Sequence, residues 1–124
     1  MKVKFYKCRH CGNVVMKFVD SGVPVVCCGE PMHELVPNTT DGSGEKHLPA
    51  VTMQGDGIVK IEVGSVHHPM TPEHHIAFIY IEFEDGGLRI DLTERPEAWV
   101  SVGDREIVAI YEYCNLHGLW CTKI

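Results

Sequence analysis

Four cysteines within the first 28 residues, placed as Cys8-Arg9-His10-Cys11 and Cys27-Cys28, constrain this part of the chain more than any other feature. Residues 1–36 hold few large apolar side chains apart from Phe5, Tyr6, Phe18 and several valines, too little to build a core unaided. A C-x2-C knuckle turns two thiolates toward one ion, and Cys27 and Cys28 supply a second pair. Four thiolates in a tetrahedron suit zinc or a single iron, and the donor set alone does not choose between them. The adjacent second pair departs from the repeated C-x2-C of a zinc ribbon and forces a tight bite. Clustered thiols of this kind belong to a reducing compartment, where they bind metal rather than form disulfides.

Turn and breaker residues follow, Pro37-Asn38-Thr39-Thr40-Asp41-Gly42-Ser43-Gly44. The expected organisation is therefore a small metal-stapled domain over 1–36, a linker over 37–44, and a second domain over 45–124. In that second part, Ile58 to Val63, Ile76 to Phe83, Leu88 to Thr93, Ala98 to Val102, Ile107 to Tyr113 and Leu119 to Lys123 are short runs rich in β-branched and aromatic residues. Leu88 to Thr93 alternates apolar and polar residues, as in a strand with one buried face, and Asp85-Gly86-Gly87 supplies a hairpin turn before it. Six or seven such strands predict an immunoglobulin-like antiparallel β-sandwich, so the whole chain is expected to be mainly β.

The chain also has eight histidines. They cluster in Glu45-Lys46-His47, His67-His68-Pro69-Met70, Glu73-His74-His75 and Cys114-Asn115-Leu116-His117. One histidine on a strand is ordinarily an unremarkable imidazole, but four clusters with a nearby thiol form a metal-type donor set. Neutral imidazoles plus one thiolate suit a first-row transition metal, and four imidazoles with one sulfur leave an octahedral ion one open position. A closed, inert zinc site built from Cys114, His117 and two other histidines uses the same residues. His10, His33 and Cys121 are read as surface or structural side chains.

The spacing C-x2-C-x15-C-C, followed by Gly29-Glu30-Pro31-Met32, resembles desulforedoxin. The sequence E-K-H, then H-P-M with a second histidine six residues on, then C-N-x-H, resembles the catalytic centre of superoxide reductases. Together the two patterns resemble desulfoferrodoxin over nearly the whole chain. The resemblance implies two mononuclear irons, one held by Cys8, Cys11, Cys27 and Cys28, the other by His47, His68, His74 and His117 in a plane with Cys114 on the axis. His68 is preferred to His67 because it immediately precedes Pro69-Met70, and His74 to His75 because it lies six residues beyond. The implied activity is one-electron reduction of superoxide to hydrogen peroxide. Lys46 would draw the anion in, and Glu45 would occupy the sixth position after oxidation. An outside donor such as rubredoxin is implied, and a homodimer is expected.

A formal charge of −6 argues against broad nucleic-acid binding, because phosphate contacts need a surface of opposite sign. The longest apolar run, Ile76 to Ile81, is too short to cross a bilayer, and no signal-length apolar segment follows Met1-Lys2-Val3-Lys4-Phe5, so a cytoplasmic location is expected. Two rival classes use the same residues. One is an electron-transfer protein whose histidine site is closed, and the other is a zinc-binding interaction module.

Overall fold

Short strands divided by glycine, proline and aspartate account for nearly half of the structure, a computed structural model that describes residues 3–40, 42 and 44–124. The chain divides into two compact units between Val36 and Pro37.

In the first unit, β1 (Phe5–Lys7), β2 (Val14–Met16) and β5 (His33–Leu35) form an antiparallel sheet in the order β2-β1-β5. β3 (Val26–Cys27) and β4 (Glu30–Pro31) form a separate hairpin. Cys27 pairs with Glu30, so Cys28 and Gly29 are the two loop residues, with φ of 52° and 80°. Two successive positive φ values define the turn whose twist matches a tight hairpin. Cys28 thus occupies a left-handed position uncommon for a residue with a Cβ.

The second unit opens with a single helical turn, α1 (Gly44–His47). The strands β6 (Pro49–Gly55), β7 (Ile58–Val63), β8 (Ile76–Phe83), β9 (Gly86–Asp91), β10 (Glu97–Ser101), β11 (Ile107–Cys114) and β12 (Gly118–Lys123) follow. They form two antiparallel sheets, β10-β7-β6 and β12-β11-β8-β9. Val59, Ile61 and Val63 from one sheet pack with Ile79, Ile81, Phe83 and Ile110 from the other, which makes the molecule mainly β with a sandwich core. Each fully buried isoleucine contributes about 2 kcal/mol through the apolar surface it removes from water.

Three local expectations shift. The hairpin between β8 and β9 turns at Glu84-Asp85, because Phe83 pairs with Gly86 and both glycines already lie in β9. A Cβ on Gly87 would lie 1.8 Å from the Tyr80 hydroxyl, so the glycine is there to let the tyrosine cross the strand rather than to make the turn. β9 is an edge strand with Leu88 exposed, and Ile90 and Leu92 only partly reach the core. The stretch with linker composition is bonded along β12. Asn38 N–H donates to Leu119 O (3.0 Å), its side-chain amide donates to Cys121 O (3.1 Å), and its Oδ1 accepts from Cys121 N–H (2.9 Å). Asp41 and Ser43, also part of that expected linker, lie outside the described residues.

Candidate metal centres

Cys8, Cys11, Cys27 and Cys28 each offer a sulfur to one group whose atoms lie within 4.8 Å of one another. The knuckle is closed by Gly12 N–H to Cys8 O (3.0 Å) and Cys8 N–H to Asn13 O (2.9 Å). The Cys11 backbone amide, with help from His10, pulls the Cys8 thiol down to about 6. Contacts with the Cys8 and Cys11 sulfurs push Cys28 up to about 12. Four crowded sulfurs that resist sharing negative charge, backed by N–H donors, form a site for a cation. Such a cation holds all four as thiolates.

The second group is assembled from four segments. α1 brings His47, the loop after β7 brings His68, the loop before β8 brings His74, and the hairpin between β11 and β12 brings Cys114 and His117. Their ligand atoms also lie within 4.8 Å of one another. The rings form a closed cycle. Centroids are 4.7 Å apart for His47–His68, 4.6 Å for His68–His74, 5.0 Å for His74–His117 and 4.7 Å for His117–His47. Every pair meets edge to face, at 70° to 81°. Cys114 Sγ lies 3.5 Å from His68 Nε2 and 3.8 Å from His117 Nδ1.

Hydrogen bonding alone does not account for this convergence. His47 Nε2 is 3.1 Å from His68 Nε2 and 3.0 Å from His117 Nδ1, yet one imidazole nitrogen carries either one proton or one lone pair and so cannot serve both. His74 Nε2 is buried with no hydrogen-bond partner among the described residues. Ligands at right angles, each about 2.1 Å from an ion, stand about 3 Å apart, so the spacing fits a metal. Cys114, His68 and His47 are buried while His74 and His117 are partly exposed, so the sulfur is interior and the cycle reaches solvent at His74 and His117. No other described His, Cys, Asp or Glu adds a sixth atom to the group.

Protonation also suits metal binding. Burial is the main reason His68 falls to about 4, so its ring is neutral at pH 7. His68 Nδ1 lies 2.7 Å from Pro69 O, which fixes the proton there and leaves the Nε2 lone pair facing the cluster. Burial raises the Cys114 thiol, opposed by the backbone amides of His117 and Leu116 aimed at its sulfur.

Local structure accounts for each placement. The β11–β8 register slips between Tyr113–Phe78 and Cys114–Ile76, an irregularity that re-aims the strand end carrying Cys114. Asn115 clamps the loop before β8, its Oδ1 accepting from His75 N–H (2.9 Å) and its amide donating to Glu73 O (2.9 Å). That clamp turns His74 into the cycle and leaves His75 outside, with its Nδ1 3.0 Å from Thr71 O. His67 is exposed. Lys46 is exposed, and its charge helps lower His74, after burial and the neighbouring imidazoles. Glu45 is exposed and outside the donor group, while its carbonyl accepts from Val66 N–H and Ser65 Oγ. His10 lies on the surface, with Nε2 3.0 Å from Glu30 Oε1.

The sequence reading missed three residues that hold the site. Asn115 stands inside the quoted C-N-x-H pattern, so its position was a signal. Gly64 and Trp120 act through contacts remote in sequence and gave none. A Cβ on Gly64 (φ 80°) would lie 2.6 Å from the Lys46 carbonyl carbon and oxygen, so only glycine lets the end of β7 back onto α1.

A β-sandwich bearing a four-imidazole, one-thiol cluster, together with a four-cysteine unit, defines a small protein with two mononuclear metal centres. The Desulfoferrodoxin family profile matches residues 39–123, and the profile for the Desulfoferrodoxin N-terminal domain matches residues 1–35. The chain belongs to the desulfoferrodoxin family. It is 40% identical over 124 residues to the desulfoferrodoxin of Syntrophotalea carbinolica, covering 98% of this chain and 97% of that one. It is 41% identical over 119 residues to that of Nitratidesulfovibrio vulgaris, covering 94% and 93%. The crystal structure of the superoxide reductase from Treponema pallidum superposes with a TM-score of 0.81 at 32% identity, covering 99% of this chain and all of that one.

Proposed function

We propose that this chain is a superoxide reductase that converts superoxide to hydrogen peroxide with one external electron and two protons from solvent. The observation that carries the reading is the closed cycle of four imidazoles gathered with a buried thiol, a five-atom donor group to which no further described His, Cys, Asp or Glu belongs. His47, His68, His74, His117 and Cys114 would hold an iron that would supply the one-electron redox chemistry, and Cys8, Cys11, Cys27 and Cys28 would hold a second.

The chain's own residues do the rest. Lys46 places a positive charge beside the solvent-facing side and concentrates a small anion that the −6 molecule otherwise repels. The amides of His117 and Leu116 orient the Cys114 sulfur, and the core behind it excludes water. Asn115 and Pro69 hold His74 and His68 in register. Glu45, on the same turn as Lys46, is the carboxylate assigned to close the open side in the oxidised protein. The electron comes from a small donor of rubredoxin type. The protein works in the cytoplasm as a homodimer, a reading supported by six cysteines that form no disulfide and by exposed Phe18, Val19 and Val23 on the first unit. The test of the activity is product analysis: superoxide consumed by the reduced protein yields peroxide and no oxygen. Oxygen released alongside peroxide, as in dismutation, contradicts it.

A further inference from the structure

Trp120 is one of two tryptophans in the chain, and its surroundings set it apart from an ordinary core residue. It is buried, and its indole lies nearly flat against the His47 ring, centroids 5.0 Å apart and planes 17° apart. Its Nε1–H donates to the carbonyl of His117 at 3.1 Å. A buried indole N–H needs an acceptor, and here the acceptor is the backbone of a second member of the cluster. Thr40 Oγ1 also donates to that carbonyl. Gly42 packs against the pair so closely that a Cβ there would lie 3.3 Å from both Trp120 Cζ2 and His117 Cβ. One side chain thus touches His47 through its face and His117 through its edge, and these two present nitrogens 3.0 Å apart.

We infer that Trp120 is a positioning residue that sets the His47–His117 edge of the donor square, stacking on one ligand ring and anchoring the backbone of the other. The inference rests on the proposed metal reading of the site. Groups that orient ligands in this way change metal affinity by about 10- to 100-fold when removed. The arrangement also separates two contributions. Trp120→Phe keeps a flat ring against His47 and removes the N–H, whereas Trp120→Leu removes both.

The test titrates the metal-free full chain with cobalt(II) under anaerobic conditions, in competition with a chelator. Absorption distinguishes a four-thiolate site from a site with one thiolate. In the wild type, both sites are expected to fill. Trp120→Phe should weaken the one-thiolate site about tenfold and Trp120→Leu about 100-fold, with the four-thiolate site unchanged in both. The Phe variant decides alone if the Leu variant does not fold. Affinities at the one-thiolate site within twofold of wild type, or equal weakening at both sites, would overturn the inference, the latter because it marks a general loss of fold. A wild-type protein lacking the one-thiolate spectrum would overturn the metal reading itself, before any variant is compared.

Discussion

Adjacent histidines that are equivalent in composition differ in their backbone surroundings. His68 is buried with one nitrogen committed to Pro69 O, while His67 is exposed. His68→Ala should therefore abolish the iron-dependent visible band of the second site, and His67→Ala should leave iron content unchanged, as read by metal analysis and absorption. Lys46 belongs to the same scale. A lysine that concentrates an anion acts on the encounter rate, and its effect fades with salt. Lys46→Ala is expected to slow the second-order reaction with superoxide about tenfold at low ionic strength. The gap from wild type should close as salt rises, as pulse radiolysis would show. The ligand residue types and their spacing were legible in the sequence because each cluster is local. Trp120 and Gly64 were not, because each acts on residues far along the chain, His47 and Lys46.

Among the elements, β7 and β8 have the bounds the β-branched runs suggested, because both are central strands whose inward residues must be apolar. β6 escaped notice because only Pro49 on it is buried, and edge strands carry weak patterns. β9 starts two residues early for a related reason: Gly86 and Gly87 read as a turn, but both pair with β8, and the crossing of Tyr80 determines the place of Gly87. The α1–β7 contact gives a prediction of its own. Gly64→Ala forces a Cβ into the Lys46 backbone and should cost about 1–3 kcal/mol in denaturant unfolding while lowering iron occupancy of the second site. On β11, Glu112 is fully buried, and neither carboxylate oxygen has a hydrogen-bond partner among the described residues. Burial raises it to about 9. The folded carboxyl keeps its proton up to about pH 9, whereas the unfolded one loses it near the ordinary value, so stability falls as pH rises across that window. Glu112→Gln should flatten this decline, and thermal unfolding of both proteins between pH 5 and pH 9 would show it. Parallel curves would mean that Glu112 is not buried as a neutral acid.

At the scale of the whole molecule, two units reach metal binding by different routes. The first has little core and depends on its cysteines, so removing metal should unfold it. The second has a continuous sandwich core of apolar side chains, so a chelator should empty its site while leaving most strand structure intact by circular dichroism. The sequence carried both donor sets and the mainly β character, since apolar alternation and ligand spacing are local properties. The ring cycle and the buried sulfur side emerge only when four distant segments meet. The most direct test of the proposed reductase is to reduce the iron-loaded protein, add a measured amount of superoxide without oxygen present, and quantify peroxide, oxygen and the visible spectrum. The account predicts one peroxide for each superoxide consumed, no oxygen, and a thiolate-to-ferric band that Cys114→Ala abolishes. A spectrum unchanged by superoxide, or oxygen formed with the peroxide, would contradict it.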